Sequence, residues 1–200
     1  MTFADRSVGG FLDEVASPAV TPSAGAVAAV TAASGIALCE MVCIHTIRKG
    51  GDTDVEDELR EIRDDLRIAR RRLLVLADAD AEAVDGLRTA LDDRNGEGDV
   101  DAVEAASRRV VEVPLETAEV CGEVLRLAAV AIGEGTDSTV EDGATGVFLT
   151  HAALRSSARL VRANVEEGED PEFVDEVETR LRRVEEGATE ALDRALSNVE

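Results

Sequence analysis

The chain has 200 residues, of which 44% are hydrophobic but only 2% aromatic, with four Phe and no Trp or Tyr. Its 43 acidic and 21 basic residues give a net charge of −22, and such a field repels nucleic-acid phosphates and anionic membranes. These values argue against a nucleic-acid or membrane partner and predict one all-α domain over residues 1–200, with a core of Ala, Val, Leu and Ile.

The basic residues are almost all arginines, because Lys49 is the single lysine. An acid excess with Arg favoured over Lys suits a cytoplasm of molar salt, where the Debye length is about 3 Å and self-repulsion is screened. Three cysteines cannot form a closed set of disulfides, and the start of the chain has no secretory signal. We therefore expect a cytoplasmic protein from a halophilic host, with an acidic mesophilic protein as the alternative.

The first half of the chain predicts three helices. A short amphipathic helix covers residues 7–15 and is ended by Ser17-Pro18. The turn at residues 21–25 leads into a helix of small residues that stops at Lys49, before two glycines. Its uncharged run, residues 24–39, approaches the length of a membrane span. Small residues favour close helix contact over bilayer insertion, so a helix buried at the centre of a bundle is predicted.

The third helix is predicted over residues 54–91. Its apolar positions are separated by alternating steps of four and three residues, which is typical of helix-on-helix packing. These positions are Val55, Leu59, Ile62, Leu66, Ala69, Leu73 and Leu76, then position 80, then Ala83 and Leu87.

Three more helices are predicted in the second half. A loop at 95–98 and a cap at Asp99 precede a helix that runs to residue 132, in which Pro114 predicts a kink or break. A fifth helix covers about 139–165, and the last begins at Asp170-Pro171. The result is an antiparallel up-and-down bundle of about six helices, two of them very long.

Asp80 is the most informative exception to these patterns, because it occupies a seam position where an apolar residue is expected. A carboxylate that faces a core loses hydration at a high free-energy cost unless a partner compensates it. A general base or acid with a shifted pKa is one interpretation. A structural Asp bonded to a neighbouring backbone group or Arg, or a seam that drifts outward after Leu76, is the other.

Asp142 and Asn164 share one face of the fifth helix, with a stripe of small residues between them. Asp142 also suits a helix cap. The two lie about 33 Å apart at 1.5 Å per residue, so they cannot bind the same small group within one subunit. If both act, they act at different ends or on sites formed with a second subunit.

Two segments could recognise a ligand. Arg48 and Lys49 end the second helix, where cations favour the helix dipole, but in so acidic a chain they could also bind an anion. The turn at residues 21–25 presents a helix N-terminus with small side chains, which suits a carboxylate or carbonyl oxygen.

A metal site is not predicted. Cys43 and His45 point about 200° apart on their helix, so Cys39, Cys43 and His45 cannot converge on one ion. Buried thiols that fill the core are the simpler interpretation.

Six segments, in chain order, carry a family pattern. They are the helix led by Phe11, the turn at 21–25, Asp78-Ala79-Asp80-Ala81-Glu82-Ala83, Val113-Pro114-Leu115, Asp142 and Asn164. Together they resemble the cyclodeaminase domain of the formiminotransferase-cyclodeaminase family and its stand-alone methenyltetrahydrofolate cyclohydrolases. The sequence keeps only Gly25 of the family's three-glycine turn, and it lacks the Pro-Lys pair expected after the third helix.

The resemblance implies a homodimer that hydrolyses 5,10-methenyltetrahydrofolate to 10-formyltetrahydrofolate, without a cofactor or metal other than its folate substrate. It implies catalytic roles for Asp80 and Asp142. The residues expected to bind substrate are Thr21, Pro22, Ser23, Gly25, Arg48, Lys49, Asp78 and Asn164. A formiminotetrahydrofolate cyclodeaminase that releases ammonia and a non-catalytic helical paralogue are the alternatives.

Overall fold

The computed structural model describes residues 2–94, 100–165 and 170–199, with only the backbone of residues 93 and 94. A 3-10 turn at Phe3–Asp5 precedes six α-helices, and the described ranges contain no strand. The helices are α1 Val8–Val15, α2 Ala24–Lys49, α3 Thr53–Arg94, α4 Val100–Gly133, α5 Val140–Asn164 and α6 Pro171–Ser197. The predicted all-α class is confirmed, whereas the expected loop at 95–98 and the expected cap Asp99 lie outside the described residues.

Helices α2 to α5 form a four-helix ring in which neighbours along the chain are antiparallel. The contact of Arg70 with Glu40 joins α3 to α2, and the contact of Arg72 with Glu116 joins α3 to α4. Helix α6 packs on the outside of α4 and α5. The 3-10 turn and α1 cover the N-terminal half of α2, where Phe3 and Phe11 pack on alanines of α2 and α3. The up-and-down topology is therefore as predicted.

The small residues of α2 let it pack closely against α5. A Cβ added at Gly35 would lie 2.5 Å from the carbonyl oxygen of Gly146, and the reverse distance is also 2.5 Å. Helix α2 is the one described helix long and apolar enough to cross a membrane, with a mean hydropathy of 2.0. Over half of that apolar window, 56%, is buried inside the bundle, which is typical of a core helix.

A kink or a break was expected at Pro114, and the structure excludes the break, because α4 is continuous from Val100 to Gly133. A proline lacks the amide that would donate to the carbonyl four residues earlier, here that of Val110. The side-chain amide of Asn164 donates to this carbonyl at 2.8 Å. A residue from α5 therefore replaces the hydrogen bond that Pro114 cannot make.

The helices end at different levels, and this difference positions the site. Helix α3 continues for 14 residues after Asp80, to Arg94, which is about 21 Å along its axis. Helix α2 begins at Ala24, beside Asp80, and leaves this part of α3 uncovered. The apolar stripe of α3 therefore runs on past the end of the helix that buries its earlier part.

Candidate functional site

Asp80 is buried at the junction of α3 with the first turn of α2, with 7% of its surface exposed. The hydroxyl of Ser23 donates to its Oδ2 at 2.7 Å, and the backbone amide of Ala26 donates to the same oxygen at 2.9 Å. The first turn of a helix carries amides without partners in the helix and a partial positive charge. Asp80 thus occupies the anion position at the N-terminus of α2, and its inward orientation agrees with the seam.

Gly25 makes room for this carboxylate. A Cβ at Gly25 would lie 1.9 Å from Oδ1 of Asp80, a distance that no side chain could tolerate. The turn at residues 21–25 was expected to bring backbone close to a ligand. In the structure the close approach is to Asp80, so Ser23 and Gly25 hold the candidate catalytic group instead of lining an open surface.

The two oxygens of Asp80 differ in their surroundings. Both hydrogen bonds go to Oδ2, and Oδ1 accepts none from the described part of the chain. Burial raises the pKa of Asp80 above its ordinary value, while the bonds from Ser23 and Ala26 act in the opposite direction. The arrangement fixes the carboxyl group through one oxygen and leaves the other without a hydrogen bond from the described residues.

The neighbouring polar residues mainly anchor the chain around Asp80. Oδ1 of Asp78 accepts a hydrogen bond from the backbone amide of Phe3 at 2.8 Å, so this side chain holds the N-terminal segment. The hydroxyl of Thr21 donates to Asp85 at 3.3 Å, and Pro22, which follows a cis peptide bond, is buried.

A groove of about 430 Å³ begins one helical turn beyond Asp80, which we call the Asn164 groove. It lies where α3 extends past α2, between the residue before the turn, the ends of α3 and α5, and the start of α4. Its walls are mainly apolar, with three polar residues. The lining residues are Val20, Val84, Leu87, Arg88, Leu91, Asp92, Val110 and Asn164.

The structure does not bring all the predicted site residues together. Arg48 lies 22 residues after Ala26 on α2, which places it about 33 Å from the Asp80 end. Lys49 follows it, and both are exposed. Asp142 is exposed in the first turn of α5, beside Gly143, which contacts Val42 near the C-terminal part of α2. Within one subunit these three residues lie at the end of the bundle opposite to Asp80.

The Asn164 groove itself was missed from the sequence. Its apolar wall, Val84, Leu87 and Leu91, continues the seam of α3 beyond position 80. The available signal was the difference in length between α3, with 42 residues, and α2, with 26. The apolar seam of α3 is longer than α2 can cover, so part of this seam stays open. Arg88, which lies beside this seam, was missed for the same reason.

The cysteines fill the core. Cys39, Cys43 and Cys121 are buried, and burial raises the pKa of each thiol to about 12, which leaves them unreactive thiols at neutral pH. His45 is exposed. The described residues contain no group of three or more potential metal ligands.

Comparison with known proteins agrees with this geometry. Residues 7–183 match the family described as formiminotransferase-cyclodeaminase. A methenyltetrahydrofolate cyclohydrolase of Methylorubrum extorquens is 33% identical over 180 residues, 88% of this chain and 85% of that protein. A formimidoyltransferase-cyclodeaminase of Sus scrofa is 34% identical over 114 residues, 54% of this chain and 21% of that protein.

The fold also matches a solved structure. The crystal structure of formiminotetrahydrofolate cyclodeaminase from Thermotoga maritima superposes with a TM-score of 0.91 at 26% identity, covering 98% of this chain and 96% of that one. The matched region covers most of the chain and includes the turn at residues 21–25, Asp80, Pro114 and Asn164. The chain belongs to the formiminotransferase-cyclodeaminase family.

Proposed function

We propose that the chain is a methenyltetrahydrofolate cyclohydrolase, which hydrolyses 5,10-methenyltetrahydrofolate to 10-formyltetrahydrofolate. The observation that carries the proposal is the buried carboxyl group of Asp80, held through Oδ2 one helical turn before the residues that line the Asn164 groove. The cyclohydrolase of Methylorubrum extorquens supports the choice of reaction, because it aligns over 88% of this chain.

The chemistry of the substrate suits such a group. The methenyl carbon joins N5 and N10 as an amidinium cation, so an ionised Asp80 attracts it electrostatically. Water attacks this carbon and forms a carbon–oxygen bond, while Asp80 takes a proton from the water. The tetrahedral intermediate then breaks its bond to N5, and Asp80 returns the proton to that nitrogen. The hydroxyl group derived from the water loses its remaining proton to solvent as it becomes the formyl C=O, so one proton is released overall. Its raised pKa brings the carboxyl group closer to the pH at which it must both accept and release a proton.

The catalytic assignment rests on Asp80 alone. Ser23, Gly25 and the Ala26 amide position its carboxyl group, and the Asn164 groove receives the benzoylglutamate part of the folate. Asp142, Arg48 and Lys49 are placed outside this machinery, because one folate is much shorter than the length of α2 that separates them from Asp80.

A cyclodeaminase activity is the second candidate. The solved structure with a TM-score of 0.91 is that of a formiminotetrahydrofolate cyclodeaminase. Ring closure of 5-formiminotetrahydrofolate passes through the same amidine carbon and expels ammonia, so the same carboxyl group could transfer the proton.

The setting of the enzyme is also proposed. Its charge of −22 supports a salt-rich cytoplasm, and the reaction as written needs only the folate and water.

One main hydrophobic cluster shared by α2 to α6 supports a single domain over residues 1–200. Exposed apolar side chains on α2 and α5, Ile44 at 38% and Phe148 at 53%, support a homodimer, which sedimentation of the wild type and of Phe148→Asp would test.

The absorbance band of the methenyl group separates the candidate functions. In molar potassium chloride, the cyclohydrolase removes this band from 5,10-methenyltetrahydrofolate faster than buffer alone does. A cyclodeaminase instead forms the band from 5-formiminotetrahydrofolate and releases ammonia. Failure of the folded protein to do either, with a native circular dichroism spectrum, would refute both enzymatic proposals and favour the non-catalytic paralogue.

A further inference from the structure

Among the described residues that line the Asn164 groove, Arg88 is the one cation. Its side chain is 60% exposed, and its carboxylate partner, Asp85, lies at 3.7 Å, a long distance for an ion pair. Asp85 is also bonded by Thr21 on its other oxygen. Several arginines between helices are paired more tightly, at 2.7–3.0 Å, and these are Arg70, Arg72, Arg162 and Arg180. Arg88 therefore keeps guanidinium donors available for a ligand.

The distance from Asp80 suits one part of a folate. Arg88 follows Asp80 by eight residues on α3, which is about 12 Å along the helix axis. In the substrate, ordinary bond lengths place the glutamate α-carboxylate on the order of 9 Å from N10, with an apolar benzoyl ring between them. An arginine side chain spans the remaining difference. The apolar wall of Val84 and Leu87 lies between Asp80 and Arg88, at the level that the ring would occupy.

We propose that Arg88 binds the glutamate carboxylate of the folate and that the apolar wall of the Asn164 groove holds its benzoyl ring. This inference rests on the proposed function and assigns the orientation of the substrate in the site. A guanidinium and a carboxylate form charge-assisted hydrogen bonds that discriminate an anionic ligand from a neutral one. The assignment replaces Arg48 and Lys49, which were expected to bind the anionic part of the substrate but lie about 33 Å away.

Removing the charge of Asp92 should change substrate binding in the direction opposite to removing the charge of Arg88. It lines the same groove, one turn after Arg88, and its negative charge opposes a bound carboxylate. Replacing Asp92 by Asn should therefore strengthen binding of the same substrate group that Arg88→Gln weakens. Two substitutions on one helix that shift binding in opposite directions are not expected from a general loss of structure.

Kinetics with two substrates test the inference. For 5,10-methenyltetrahydrofolate monoglutamate in molar potassium chloride, Arg88→Gln should raise KM about fivefold or more while kcat changes less than threefold. Asp92→Asn should lower KM. For 5,10-methenyltetrahydropteroate, which lacks the glutamate, both variants should match the wild type. Arg48→Gln, which removes the same charge at the far end, is the control and should leave both substrates unaffected.

Equal KM shifts for Arg88→Gln and Arg48→Gln, or equal shifts with the two substrates, would overturn the proposal. Calorimetric Kd values for the folate, measured on the same proteins, distinguish failure of the proposed reaction from failure of the role assigned to Arg88. A wild type that binds the folate without turnover refutes the proposed reaction, and the Kd of Arg88→Gln against Arg48→Gln then still decides the role of Arg88. A wild type that does not bind refutes both.

Discussion

Charged side chains lie near both ends of α2, but their environments differ. At its N-terminal end, the carboxyl group of Asp80 is buried, accepts two hydrogen bonds and lies one helical turn before a groove of about 430 Å³. At its C-terminal end, Arg48 and Lys49 are exposed, and Asp142 of α5 is exposed nearby. Charge is present at both ends, but only the first end removes it from water and fixes its orientation.

The difference arises from how the helices end. At the Asp80 end, α3 extends past α2, so an apolar seam remains open next to a buried charge. A buried carboxyl group with a shifted pKa near an apolar cavity is typical of a functional site. At the opposite end, the charges lie in solvent, where dissolved salt screens them.

Asp80→Asn should have the largest effect, a fall in kcat of about 10²–10⁴-fold, because the amide cannot accept the proton. The measurement is loss of the methenyl band under saturating substrate. Glu40→Gln is the matched control, since Glu40 is a similarly buried carboxylate, with 9% exposure, but is paired with Arg70 at 3.0 Å. A similar loss of kcat in both variants would contradict a special role for Asp80.

Gly25→Ala should lower kcat by about 10–100-fold, because the new methyl group displaces the Asp80 carboxyl group from its donors. Melting temperature should fall as well, since a buried contact of 1.9 Å must be relieved. Gly86→Ala provides the comparison, because nothing lies within 4 Å of a Cβ there. That variant should keep full activity and gain stability. Unchanged kcat in Gly25→Ala would show that the close approach is not needed.

Asn164→Ala should lower the free energy of unfolding by about 1–3 kcal/mol, because it leaves the Val110 carbonyl without its donor. In a Pro114→Ala background the helix regains its own amide, so the same substitution should cost less. Denaturant unfolding of the four proteins measures this coupling. Additive effects would mean that Asn164 does not compensate for Pro114.

The stability of Asp80→Asn relative to the wild type should depend on pH. Burial raises the pKa of Asp80 above 3.8, so the unfolded carboxyl group ionises first as the pH rises from that value. The folded state then binds more protons, and wild-type stability falls with pH until the folded carboxyl group ionises too. The asparagine variant lacks this loss, so its relative melting temperature should rise as the pH increases above about 4, until the folded carboxyl group of the wild type has ionised. A constant difference would indicate that the pKa is not raised.

Asp142→Asn should have the smallest effect, a change in kcat and KM of less than about twofold, because exposed charges far from the site are screened in molar salt. The methenyl assay and a melting curve measure it. A large loss of kcat with unchanged stability would contradict the separation of the two ends and would mean that a second subunit brings this end to the site.

The sequence by itself determined the helices, their up-and-down order and the family, and it marked Asp80 as a carboxylate at a seam position without deciding whether it points inward. These properties follow from local patterns. The spacing of apolar residues sets which face of a helix is buried, and a carboxylate on that face is visible without coordinates. The resemblance located Asp80, Asn164 and the turn at residues 21–25 in the correct order, but it could not state which of them meet.

Only the tertiary structure decided the contacts of these residues. Gly25 makes room for Asp80, Asn164 replaces the amide that Pro114 lacks, and Arg88 rather than Arg48 lies beside the groove. Each depends on the offset between the ends of neighbouring helices. That offset is set by how whole helices pack, and a shift of one turn, about 5.4 Å, would change every partner without altering any local pattern.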